Sequence, residues 1–89
     1  MNFRAENNEF HKGFQMTFQN RCTISVQFNE RSRCDGGETT AEVAAWDENS
    51  NWISWNGDNW ITVLDGSTDV MSYQTPDDIA RMINALVKL

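Results

Sequence analysis

Two runs of alternating residues constrain this chain more than anything else in it. Phe14, Met16 and Phe18 alternate with Gln15, Thr17 and Gln19, and Ile24, Val26 and Phe28 alternate with Thr23, Ser25 and Gln27. Side chains on a strand point to opposite faces in turn, so each run is a strand with one dry face and one wet face. Asn20-Arg21 separates them and is short enough for a tight turn, with Asn20 the residue suited to positive φ. Antiparallel pairing then places both apolar rows on one side of a ribbon, and something must cover that side.

The C-terminal segment supplies the cover. Thr75 is the expected N-cap, Pro76 fits the first helical position, and Asp78 stands where a capping box needs its acid. Asp77 and Asp78 suit the positive end of the helix dipole and Lys88 the negative end. Ile79, Met82, Ile83, Leu86 and Val87 recur at helical spacing. Burying those five side chains would contribute about 8–15 kcal/mol gross, most of it offset by chain ordering.

Between ribbon and helix the chain reads as a loop (29–40, with a turn at Gly36-Gly37), a strand from Glu42 to Trp46, and short strands at Trp52–Trp55 and Trp60–Leu64. Residues 65–67 end the last strand, and Val70 to Gln74 lead into the helix. Residues 1–12 carry no clear period and are expected as a loose arm along one edge, leaving 13–89 as a single domain. The expected fold is α+β: a four- to five-stranded antiparallel sheet with one C-terminal helix packed on one face.

The four tryptophans exceed what such a helix can hide. Trp46 and Ala44 point one way and Val43 and Ala45 the other. Trp52 opposes Ile53 and Trp55, and Trp60 opposes Ile61. Both faces of this half-sheet therefore carry large apolar groups, while a helix of about 13 residues is roughly 20 Å long and about 10 Å wide. The arm, a second copy or a ligand is expected over the other face. Trp is enriched at interfaces and stacks on nucleobases, so Trp46, Trp52, Trp55 and Trp60 are candidate binding residues. The competing reading is that they complete a small core. Arg31 and Arg33 lie two apart on the loop, and in an extended segment both would point the same way to clasp a phosphate or carboxylate. The bland reading is solvation or pairing with Glu30 and Asp35.

Catalysis is not expected. His11 is the only imidazole, no nucleophile–base arrangement has a supporting motif, and no glycine-rich phosphate loop follows a strand. No metal site and no cofactor is expected, because Cys22, Cys34 and His11 are too few and too scattered for zinc. The two thiols are expected to be reduced, with Cys22 a small buried hydrophobe. The net charge of −6 is uneven. Residues 1–33 carry five cations and three carboxylates, while residues 34–89 carry two cations and ten carboxylates. That acidic stretch disfavours nonspecific nucleic-acid binding and suits a basic partner or plain solubility. No apolar run reaches the roughly 20 residues of a membrane span, and no secretory leader is expected in Met1 to Gly13.

The blocks Gly13–Asn20, Thr23–Phe28, Ala41–Asp47 and Tyr73–Asp78 resemble a group of small uncharacterised proteins of tailed bacteriophages. The resemblance covers most of the chain from Gly13 onward and carries no catalytic signature or assigned site residue. It implies a phage product acting in the host bacterial cytoplasm. The expected function is a non-enzymatic accessory protein that counteracts host defence by sequestering a nucleotide-type signal molecule, with self-association over the second sheet face. The alternatives are an acidic inhibitor of a basic host defence or nucleic-acid-binding protein, and a structural or virion-associated role.

Overall fold

Pairing along the alternating runs organises the whole molecule. The computed structural model describes residues 1–8, 11–29 and 32–89. Its strands are β1 (Asn2–Asn7), β2 (Lys12–Thr17), β3 (Thr23–Gln27), β4 (Ala41–Trp46), β5 (Trp52–Trp55), β6 (Trp60–Thr62) and β7 (Met71–Gln74), followed by helix α1 (Pro76–Leu86). All pairings are antiparallel and the order is β1-β2-β3-β4-β5-β6, with β7 also on β4. The fold is the expected α+β layer pair, but among the described residues the sheet has seven strands rather than four or five. The two additions come from segments without a strong period. The expected loose arm contains β1, paired with β2 over its full length. The lead-in to the helix is β7, which takes the free edge of β4 at Ala41 and Val43, while β5 takes that same edge at Ala45 and Trp46.

The ribbon carries both apolar rows on one face, as expected: Met16 faces Ile24 and Phe14 faces Val26, and the rows continue to Ala45 and Val43 on β4. Its turn differs from expectation. Phe18 N–H donates to the Cys22 carbonyl at 3.0 Å and Arg21 N–H to the Phe18 carbonyl at 2.8 Å, so the loop is three residues long. Arg21 rather than Asn20 takes the left-handed conformation, with φ 66°. Asn20 is occupied elsewhere: its Oδ1 accepts from Cys22 N–H at 3.0 Å and its Nδ2 donates to the Leu86 carbonyl at 2.8 Å. The β4–β5 connection repeats the design, with Asp47 N–H on the Asn51 carbonyl and Ser50 at φ 63°.

The helix begins as expected. Thr75 Oγ1 accepts from Asp78 N–H at 3.2 Å, and the Asp78 carboxylate accepts from Thr75 N–H at 2.9 Å. It ends at Leu86, two residues before Lys88, and Val87, expected on the apolar face, is 44% exposed. Its burial is graded. Met82 and Leu86 are 0% exposed against Ile24, Val43, Ala45 and Ile53, whereas Ile79 and Ile83 are only half-buried. Two side chains bind the C-terminal half down: Trp60 Nε1–H donates to the Met82 carbonyl at 3.0 Å and Asn20 holds Leu86.

The face away from the helix is drier than its polar residues suggest. Thr23 and Ser25 are buried. The hydroxyls of Thr17 and Thr23 pair at 2.9 Å, and Gln27 Nε2 donates to both Ser25 Oγ and Glu6. Such pairing keeps a buried hydroxyl from losing a hydrogen bond on folding. No helix among the described residues is long and apolar enough to cross a membrane.

Candidate functional site

The grading of the helix leaves a gap under its first turns. A cavity of about 390 Å³ opens between the N-terminal half of α1, the strands β2 and β3, and the loop from Gly37 to Thr40. Phe14, Val26 and Phe28 form its floor and Ile79, Ala80 and Ile83 its roof. Pockets that take small ligands or anchoring side chains span about 300–1,000 Å³ and are mostly apolar, so the size and lining suit a guest. Glu38 is the one charged residue among the described residues that line it.

Local chemistry holds the loop wall in place. Gly37 sits at φ +85°, and a Cβ there would come within 2.9 Å of the Phe28 ring, so only glycine lets the loop lie on that ring. Asp35 ties the far end: its carboxylate accepts from Thr39 N–H at 3.0 Å and Thr40 N–H at 2.9 Å, and from the Thr39 hydroxyl. The Thr39 hydroxyl and amide hold the Asp35 carboxyl well below the usual carboxylate range. Arg33 anchors the start of the segment through its backbone, donating to Glu42 Oε2 at 3.0 Å and accepting from Tyr73 N–H at 2.8 Å. Tyr73 stands at φ 56° to make that contact, beside the irregularity in the β4–β7 pairing.

The expected site residues do not converge. Arg31 lies outside the described residues. The Arg33 side chain is exposed and is not part of the cavity lining. The tryptophans divide by strand parity. Trp55 and Trp60 pack together on the helix face, ring centroids 5.1 Å apart, beside the core. Trp46 and Trp52 form a cross-strand pair 5.9 Å apart on the opposite face, both half-buried. All four indoles are half-buried: Trp55 and Trp60 pack against the core beside the helix, and Trp46 and Trp52 lie on the second face. Ile61 and Leu64 are exposed nearby in sequence.

Phe28, Ile79, Ala80 and the 37–40 loop were not among the expected site residues. The one local sign is at the loop wall, where the Gly36-Gly37 turn follows Phe28 by eight and nine residues. His11 is exposed, and its backbone N–H donates to Asn8 Oδ1 at 2.9 Å. Cys22 and Cys34 are both free thiols. Burial pushes the Cys22 thiol up, and the Asp47 and Glu48 carboxylates add to the shift. No group of metal-ligating side chains forms among the described residues.

Compared with known protein families, curated proteins and solved structures, the chain matches none.

Proposed function

We propose that this protein acts by binding, and that its guest is a basic protein segment that seats apolar side chains in the cleft beneath α1. The observation that carries the reading is the combination at that cleft: an apolar interior of about 390 Å³ with Glu38 on its wall and Asp77 beside its Pro76 lip. Apolar anchors supply binding free energy, and an acidic rim selects cationic neighbours and speeds encounter. The ten carboxylates of residues 34–89 extend the same preference over the surrounding surface. An anionic nucleotide would meet repulsion there. Together with the resemblance to phage proteins, this reading is an accessory protein that occupies a basic host protein.

Capture of a nucleotide is the second reading, carried by the half-buried Trp46–Trp52 pair on the opposite face. The two differ in which substitution matters. Ala80→Trp narrows the mouth of the cleft from an exposed position, and Trp52→Leu removes one outer indole. Titration with a neutral solvatochromic dye and with Leu/Lys-rich peptides should give binding that Ala80→Trp weakens at least tenfold and Trp52→Leu leaves alone. Binding of neither dye nor peptide, with nucleotide binding lost in Trp52→Leu, would replace the first reading by the second.

A further inference from the structure

We propose that the β1 edge is a self-pairing surface, on which a second copy of this chain adds its own β1 antiparallel across a two-fold axis. Among the described residues β1 pairs only with β2, so its outer backbone groups have no strand partner. Natural edges are commonly blunted by proline, bulges, extreme shortness or cover. This one is six residues long, pairs with β2 without a register shift, contains no proline and lies exposed, with Phe3 79% accessible.

Charge selects the register. A two-fold axis perpendicular to the sheet keeps each residue on its own face, so the axis must pass beside a single residue. Centring on Arg4 sets Arg4 against its own copy, and centring on Glu6 does the same for Glu6. Centring on Ala5 sets Arg4 against Glu6 of the second copy and Glu6 against Arg4, two opposite-charge cross-strand pairs per dimer. Both side chains are prepared for this. Glu6 is held by Gln15 Nε2 at 3.5 Å and Gln27 Nε2 at 2.8 Å, and its own-chain contact with Arg4 is only 4.0 Å. The Arg4 side chain is 73% exposed. The edge also belongs to the half of the chain with more cations than carboxylates, where two copies repel least. Phe3 then packs across from Asn7 of the second copy, on the side that carries both helices. The resulting contact is small and polar, with a dissociation constant of about 10–100 µM.

Sedimentation equilibrium of the full chain tests this. The expected result is a concentration-dependent approach to twice 10.2 kDa. Arg4→Glu, at an exposed side chain, should weaken the dimer about tenfold by turning both attractive pairs repulsive. Glu6→Arg should do the same. An equimolar mixture of the two variants should dimerise as heterodimers, because every cross-strand pair is then again of opposite sign. Circular dichroism reports whether Glu6→Arg folds after losing the Gln27 contact; if it does not, Arg4→Glu alone decides. A wild type that stays at 10.2 kDa up to about 1 mM, or an Arg4→Glu chain that dimerises as tightly as wild type, would overturn the proposal.

Discussion

Leu86→Ala and Ile79→Ala remove the same three carbons from the same helix, and the structure requires very different costs. Leu86 is 0% exposed and seated on the core. At about 0.8 kcal/mol per buried methylene, three carbons forfeit about 2.4 kcal/mol of transfer free energy. The sealed void left behind adds about 1–2 kcal/mol at roughly 24 cal/mol per Å³. The expected loss is therefore about 3.5–4.5 kcal/mol, a large part of the roughly 5–10 kcal/mol that holds a domain of this size. Ile79 is half-buried and borders a cavity already open to solvent. Its truncation loses about half the transfer term and seals no new void, which leaves about 1 kcal/mol. Urea unfolding followed by tryptophan emission measures both, with the slope m unchanged if only native stability moves. Costs equal to within about 1 kcal/mol would mean that the first turns of the helix press on the sheet as hard as the last and leave no cleft beneath them.

Other outcomes follow from individual contacts. Arg21→Gly and Ser50→Gly each place glycine at a positive φ, and each should raise stability by about 0.5 kcal/mol in the same unfolding assay. The amide and hydroxyl of Thr75 hold the Asp78 carboxyl below its ordinary value. A carboxyl lowered by folding stabilises above its unfolded pKa of about 3.9 and loses that contribution as pH falls through the lowered native value. Helical circular dichroism should therefore weaken in wild type below about pH 4, and Asp78→Asn should cost about 0.5–1 kcal/mol at pH 7 while flattening that acid dependence. Cys22, buried and with its thiol pushed up, should resist a disulfide reagent at pH 8 until the protein unfolds, whereas reaction of Cys22 at the rate of a free peptide thiol would contradict its burial.

What could be read from the residues was local. The antiparallel pairing of β2 with β3, both apolar rows on one face, and the Thr75–Asp78 cap depend on neighbours within a dozen positions, and both stand as expected. Parity placed large apolar groups on both faces, but which indoles share a face depends on the pairing of β4, β5 and β6. Elements whose pattern is short or polar were missed. Phe3 and Ala5 are too few to signal β1, and β7 is held by pairing to β4 rather than by its own alternation. Thr23 and Ser25 look solvent-facing in one dimension and are buried because a central strand is hemmed in on both sides. The cleft was illegible for a related reason: its walls come from the first strands, the 37–40 loop and the last helix, and its existence depends on which end of that helix is fastened.

The seam along β4 has a consequence for synthesis. One side of that strand is satisfied by β3, but the other is shared between two partners that emerge later, β5 and then β7. A nascent chain released as far as Trp46 would present an apolar ribbon with a raw flank and no lid. Lasting order must wait until the C-terminal helix clears the ribosome, so truncations that remove the final residues should accumulate as aggregates rather than as smaller soluble folds.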